Sequence, residues 1–172
     1  TTARPGGPDL LRGVQLVDIE NPRRPTLLSN LDTLGRSVGL ALSGSELFVA
    51  DDFNGVVILD VADSRAPRVL GQVALPGNAL GVRLDGNTLS VAAGVSGLSL
   101  IDVTDRMHPF LFGAYDTPGS VRAIAGEEPD VLLADGSSGI ATVHLNPRLG
   151  PVSFASSTRV STLAPAGFST GP

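Results

Sequence analysis

Residues 97–138 read GLSLIDVTDRMHPFLFGAYDTPGSVRAIAGEEPDVLLADGSS, and this stretch decides the fold because copies of it occur along the chain. Glycine recurs every 42 residues, at Gly13, Gly55, Gly97 and Gly139. An aspartate follows five residues after each of the first three glycines, and a histidine takes that place in the last copy. Proline follows twelve residues after every one of them. This constant spacing predicts a repeat protein with one structural unit per 42 residues.

Each unit contains four short apolar runs separated by turn residues. The run after the glycine reads VQLVDI, VVILDV, LSLIDV and IATVHL in the four copies. Leu and β-branched residues dominate these runs, while Gly, Pro, Asn, Asp and Ser lie between them. No apolar period of 3.6 residues persists for three turns, so helices should be rare. Four short strands per 42-residue unit are typical of one blade of a β-propeller.

Three of the units also resemble a known family. The segments GVQLVDIENPRRPTLL, GVVILDVADSRAPRVL and GLSLIDVTDRMHPFLF are similar to the LVIVD repeat, and the resemblance covers roughly residues 13–157. The fourth copy departs from the pattern, because His144 replaces the aspartate. The resemblance implies a bacterial or archaeal protein, often associated with the cell surface, whose units form a propeller. The family has no agreed catalytic residues, so the resemblance implies none here.

The fold class predicted is therefore all-β, with blades of four antiparallel strands and about three and a half repeats. Since a propeller ring needs at least four blades, we expect the chain to be part of a larger propeller. Two alternatives are that identical copies complete the ring, or that other chains cover an open β-structure. The expected segments are 1–12 (a linker or the end of a preceding unit), 13–54, 55–96, 97–138, a partial unit 139–157, and an irregular tail 158–172.

Composition narrows the possible functions. The chain has 42% hydrophobic but only 4% aromatic residues and no Trp, so Leu, Val, Ile and Ala must fill its core. The net charge is −5 and no basic stripe is present, which argues against nucleic-acid binding. The absence of Cys excludes disulfides and cysteine-ligated zinc. No apolar run approaches 18 residues, so no membrane span is expected.

Arginines in repeated positions are the candidate binding residues. Guanidinium groups hold carboxylates bidentately, so arginines in neighbouring blade-edge loops suit a partner's acidic groups. Acidic residues share these loops, and a solvated mixed surface is the alternative reading. Arginines near the first strand of a blade could line an axial channel or pair internally with Asp85. The candidates are Arg23, Arg24, Arg65, Arg106 and Arg148 in the loops, and Arg36 and Arg122 near the axis.

Acidic residues offer two further readings. Asp51, Asp52 and Asp135 lie in loops rich in oxygen donors, which makes calcium the alternative to a tight turn there. The copy of this loop that lies between them in the sequence has Ala93 in place of the aspartate, so no cofactor is expected. The repeated aspartates that end one run in each unit are interpreted as caps of the following turn, with a ring of carboxylates as the alternative. This series is Asp18, Asp60 and Asp102.

The favoured function is a non-enzymatic binding or scaffolding module of a bacterial surface or secreted protein. Its blade-edge loops would contact protein or glycan, at an extracellular or cell-surface location. No nucleophile elbow, phosphate-binding loop or other catalytic motif is present. One alternative is a propeller hydrolase or lyase, because an axial active site assembled from different blades leaves no linear motif. The other is a self-assembling component of a surface layer or filament.

Overall fold

The computed structural model describes residues 13–127, 130–145 and 157–159, and the regular structure of these residues is β-strand apart from one short helix. Only one short helix, a 3-10 turn at Gly136–Ser138, occurs among them. The strands are β1 Val14–Asp18, β2 Thr26–Leu31, β3 Gly39–Ser43, β4 Glu46–Ala50, β5 Val56–Asp60, β6 Arg68–Val73, β7 Gly81–Asp85, β8 Thr88–Ala92, β9 Leu98–Asp102, β10 Phe110–Tyr115, β11 Ala123–Glu127, β12 Asp130–Ala134, β13 Ile140–His144 and β14 Ser157–Arg159.

The strands form four antiparallel sheets in which neighbours in sequence are neighbours in space. The first sheet contains β1 and β2, the second β3 to β6, the third β7 to β10, and the fourth β11 to β14. The predicted all-β class and the four-stranded antiparallel units are therefore confirmed. The half unit at the start is the two-stranded first sheet. These are propeller-like blades, each a meander whose turns alternate between two ends.

The burial pattern explains why the apolar runs are continuous instead of alternating. Strands β4, β5, β8 and β9 lie in the middle of their sheets and are buried on both faces, because another sheet packs against each side. The last strands of the second and third sheets, β6 and β10, lie at the edges of those sheets and carry exposed residues. A strand that is buried on both faces needs apolar residues at successive positions, which is the pattern of VVILDV and LSLIDV.

Three apolar clusters hold the sheets together. One joins the second and third sheets around Phe48 and Ile58, and another joins the third and fourth around Leu100 and Leu133. A smaller cluster around Val14 joins the first and second. Successive sheets are also linked by isolated backbone bridges, which are Asp52 to Ala79 and Gly94 to Val121.

The last strand departs from the 42-residue spacing. In the third sheet Ser99 pairs with Ala114, so the spacing would pair Ala141 with residue 156. Instead Ala141 pairs with Arg159. Strand β14 thus includes two residues of the tail expected from residue 158, while residues 1–12 and 160–172 lie outside the described part of the chain.

Candidate functional site

One end of the sheets carries three exposed apolar side chains. This end, the loop face, consists of the turns between the second and third strands of each unit and the segments that link one sheet to the next. Phe53 (85% exposed), Leu34 (80%) and Val95 (77%) lie on it. We call these three residues the apolar patch. They are the three most exposed large apolar side chains among the described residues.

A buried carboxylate holds the loops beneath the patch. Asp51 is fully buried, and its Oδ1 accepts hydrogen bonds from Thr33 Oγ1 at 2.6 Å and Ser37 Oγ at 2.9 Å. Asn54 Nδ2 donates to Asp51 Oδ2 at 2.8 Å and to the Thr33 carbonyl oxygen at 2.6 Å. These bonds tie the β4–β5 turn to the segment between β2 and β3. Because Phe53 and Leu34 lie in these two segments, the patch rests on an ordered base.

Part of this network recurs in the fourth sheet and is absent from the third. Asp135 accepts a hydrogen bond from Thr117 Oγ1 at 2.6 Å and one from the Gly119 backbone N–H at 3.1 Å. In the third sheet Ala93 stands at the aspartate position and Leu75 at the threonine position. Acceptor and donor are thus replaced together by apolar residues, as expected of a structural network.

No group of three or more His, Asp or Glu side chains that could hold a metal ion occurs among the described residues. The calcium reading of Asp51, Asp52 and Asp135 therefore gains no support from a cluster of acidic ligands. The carboxylates of Asp51 and Asp135 instead accept hydrogen bonds from hydroxyl, amide and backbone donors, as described above.

Asp52 joins two sheets at the base of the patch. Its backbone adopts a left-handed conformation, with φ of 54°, and exchanges hydrogen bonds with Ala79 of the next sheet. Its buried carboxylate contacts Arg36, with Nε and Nη2 both 3.1 Å from Oδ2, and accepts a hydrogen bond from Asn78 at 2.8 Å. The Arg36 side chain is otherwise exposed. Arg36 is therefore placed beside the apolar patch, where it can also contact a partner.

The loop arginines lie at the end of the sheets opposite the loop face, and they form two groups. Arg23 and Arg24 in the β1–β2 turn and Arg65 in the β5–β6 turn are exposed. Arg106, in the β9–β10 turn, instead reaches the second sheet, where its Nε lies 2.9 Å from Glu46 Oε2. Arg148 lies outside the described residues. The four described loop arginines therefore do not act alike, because Arg106 is engaged within the protein.

Arg106 also packs on the apolar core. Its guanidinium carbon lies 5.4 Å from the ring centre of Phe48, a cation–π arrangement. The backbone of the same turn approaches Gly71 so closely that a side chain at Gly71 would overlap the Arg106 carbonyl oxygen. These contacts dock the turn of one sheet onto the preceding sheet.

Arg122, which was expected near an axis, is exposed directly before β11. Asp85 pairs with Arg83 of β7 at 2.6 Å, while Arg36 pairs with Asp52.

The repeated aspartates act as turn caps, as expected. Oδ1 of each accepts a hydrogen bond from the backbone N–H two residues later, at 2.8 Å for Asp18, 2.9 Å for Asp60 and 2.7 Å for Asp102. The N–H of Ala62 and the side chain of Arg68 lower the pKa of Asp60. The N–H of Thr104 likewise lowers the pKa of Asp102. The lowered pKa values keep the Asp60 and Asp102 carboxylates ionised, the form that accepts the hydrogen bonds of the turn.

The apolar patch was not found by reasoning from residue types. Its signal in the sequence is partial: Leu34 stands where the next two units have Pro76 and Pro118, whereas Phe53 and Val95 are equivalent to each other and to Ser137. Leu34 also has a positive φ of 67°, which is uncommon for a residue other than glycine. Of the three residues, Leu34 is therefore the one that departs from the repeat.

The comparisons with known proteins agree with these units. The LVIVD repeat family matches residues 34–74 and 76–117, which hold the second and third sheets. The chain contains LVIVD repeats. The resemblance drawn from the sequence is thereby confirmed for these two units. No curated protein matches the sequence.

Two solved structures share the fold of these LVIVD repeats. The computationally designed Ika8 protein has a TM-score of 0.61 at 9% identity, over 78% of this chain and 40% of Ika8. The computationally designed Ika4 protein has a TM-score of 0.59 at 11% identity, over 76% of this chain and 77% of Ika4. The chain thus spans less than half the length of Ika8. No helix within the described ranges is long and apolar enough to cross a membrane.

Proposed function

We propose that this LVIVD-repeat module is a binding module that contacts a protein partner through the apolar patch. The observation that carries the proposal is the 85% exposure of Phe53 on a turn whose backbone is held by the Asp51 network. Exposed aromatic side chains on ordered loops are common anchors of protein interfaces. Arg36, anchored by Asp52, supplies a cation at the edge of the patch for a partner's acidic group.

A protein suits this surface better than a glycan, because the three residues of the patch offer apolar area and no polar side-chain atoms. The cell-surface or secreted location is part of the same proposal and is supported by the LVIVD resemblance alone.

The test is a selection of phage-displayed peptides on the immobilised protein, followed by affinity measurements on the enriched peptides. Phe53→Ser gives the turn the residue found at the equivalent position, Ser137, and should weaken binding at least about tenfold because an interface anchor is lost. Phe110→Ser is the matched control, since Phe110 is an exposed phenylalanine at the other end of its sheet. Peptides that bind the Phe53→Ser variant as tightly as wild type would show that the patch is not the binding site.

Assembly is a second candidate function, because part of the second sheet is uncovered. Leu40 and Leu42 of β3 are 57% and 66% exposed. At the equivalent positions of β7, Val82 and Leu84 are half-buried against the preceding sheet. In the described part of the chain the first sheet has two strands and no described strand covers these residues of β3, and a cavity of about 400 Å³ lies beside β1 and β3. We infer that a second copy of this chain covers this surface.

Light scattering after gel filtration tests the assembly. The wild-type chain should show a mass above that of the monomer that rises with concentration, and Leu40→Asp with Leu42→Asp should abolish the rise. Val69→Asp places the same charge on an exposed position of the outer strand β6 and should leave the mass as in wild type. A wild-type chain that stays monomeric at all concentrations contradicts the assembly.

A further inference from the structure

The β4–β5 turn, which carries Phe53, contains a chemically reactive pair of residues. Asn54 is the only asparagine of the chain that is followed by glycine, and the next two units have Ser96 and Ser138 at its position. In an Asn-Gly pair the backbone nitrogen of the glycine can attack the side-chain carbonyl carbon of the asparagine, because the glycine has no Cβ to hinder the approach. The three units share the glycine, but only this turn has a side chain that its nitrogen can attack.

The reaction is a deamidation, and water is its only co-reactant. A bond forms between Gly55 N and Asn54 Cγ, the bond between Cγ and Nδ2 breaks, and Nδ2 leaves as ammonia with the proton of the Gly55 N–H. Water then opens the resulting succinimide ring at one of its two carbonyl carbons. Opening at Cγ gives aspartate. Opening at the backbone carbonyl carbon gives isoaspartate, whose main chain is longer because it runs through the side-chain carbons.

The folded turn holds both reacting groups in place. Asn54 Nδ2 donates to Asp51 Oδ2 at 2.8 Å and to the Thr33 carbonyl oxygen at 2.6 Å. Asn54 Oδ1 accepts a hydrogen bond from Gln72 Nε2 at 2.8 Å. The Gly55 N–H donates to the carbonyl oxygen of the residue three positions earlier, at 3.2 Å. Ring closure must break these hydrogen bonds, so the turn has to open before the reaction occurs.

The product cannot make the same contacts. A carboxylate at position 54 has only acceptor oxygens, whereas Asn54 donates to the Asp51 carboxylate and to the Thr33 carbonyl oxygen. Two carboxylates would then face each other beside the buried Asp51, where water screens their repulsion poorly. Isoaspartate would in addition lengthen the backbone next to Phe53. Deamidation should therefore loosen the turn.

We propose that Asn54 is a deamidation site that the folded turn protects, and that its modification irreversibly loosens the base of the apolar patch. Each opening of the turn exposes Asn54 to the reaction, and the product then resists closing. This proposal does not rest on the binding role of the patch, because deamidation and stability are both measured without a partner.

The experiment follows deamidation at Asn54 by peptide mapping and mass spectrometry, in chain kept at neutral pH with and without urea. Folded wild type should react at least about tenfold more slowly than the unfolded chain, because the turn must open first. The triple variant Thr33→Leu, Ser37→Ala and Asp51→Ala should keep the fold, since donors and acceptor leave together. While folded it should react at least about threefold faster than wild type, because the charged partner of the amide is lost.

Asp135→Ala is the matched control, since it removes the equivalent carboxylate from the fourth sheet and should leave the rate at Asn54 unchanged. Equal rates in folded and unfolded wild type overturn the proposal, and so does a chain that does not react at Asn54 even when unfolded. A folded triple variant that reacts no faster than wild type also overturns it.

The effect of the product is measured separately by urea unfolding. Asn54→Asp should lower the midpoint of unfolding more than Asn54→Ser, which copies Ser96 and Ser138 and adds no charge. If the two variants are equally stable, deamidation does not loosen the turn, and that part of the proposal is wrong.

Discussion

Replacing Asp51 with alanine should lower the free energy of unfolding by about 3 kcal/mol. The substitution removes the acceptor of Thr33, Ser37 and Asn54, and the buried Thr33 hydroxyl cannot reach water to replace it. A buried donor without a partner costs about 1–3 kcal/mol, and the partly exposed Ser37 and Asn54 add less each because they can reach water. Urea denaturation followed by circular dichroism measures the change.

The repeat provides the matched control for this prediction. The triple variant Thr33→Leu, Ser37→Ala and Asp51→Ala copies Leu75, Ala79 and Ala93 of the third sheet. It removes the acceptor together with the Thr33 and Ser37 donors, and Asn54 can still donate to the backbone carbonyl of residue 33, so its stability should lie within about 1 kcal/mol of wild type. A triple variant no more stable than Asp51→Ala alone would contradict the structural reading.

Calcium should not stabilise the wild-type chain, whereas the calcium reading of the sequence requires that it does.

Replacing Gly97 with alanine should lower the free energy of unfolding by about 2–5 kcal/mol, the sum of two effects. The φ of Gly97 is +74°, a left-handed conformation that costs other residues about 1–2 kcal/mol. A Cβ there would also overlap the carbonyl oxygen of Tyr115 in the adjacent strand, which forces a backbone shift costing about 1–3 kcal/mol. Gly13 and Gly55 approach Leu31 and Val73 in the same way.

Gly86→Ala separates the two effects. Gly86 lies in the same sheet and has a φ of +52°, but an added Cβ there would meet nothing within 4 Å. It should therefore cost only about 1–2 kcal/mol, from the backbone conformation alone. Thermal and urea unfolding of both variants give the comparison. If Gly97→Ala is no worse than Gly86→Ala, the close approach of Tyr115 is not what requires glycine every 42 residues.

Most of the fold could be predicted because the repeat supplies several copies of each signal. The apolar runs identify the strands. Gly97 and its equivalents come directly before the third strand of a unit, at a position whose backbone is left-handed. The aspartate series was correctly interpreted as turn caps, since a residue present in three units serves the shape of the unit. The pairing of Ala141 with Arg159 could not be predicted, because it departs from the 42-residue spacing in one sheet only.

The binding surfaces were harder to predict because they depend on which residues the sheets leave uncovered. Arg106 and Arg65 occupy similar turns, yet Arg106 contacts Glu46 and Phe48 of the preceding sheet while Arg65 is exposed. Phe53 is an aromatic residue of the kind that usually lies in a core, yet it lies on the surface. Whether a side chain is buried depends on which neighbouring sheet packs over it, and the local sequence does not contain that information.

The all-β class, the length of the unit, the order of four strands in it and the similarity of its copies to the LVIVD repeat could be predicted from the chain alone, because they follow from local periodicity and from turn residues that repeat. Which side chains meet across units depends on the tertiary structure. It brought Thr33 and Asn54 onto Asp51, left Phe53 and Leu40 exposed, and joined Arg106 to Glu46 of the preceding sheet. Contacts between sheets join residues far apart in the chain, so their energies depend on packing that no single unit encodes.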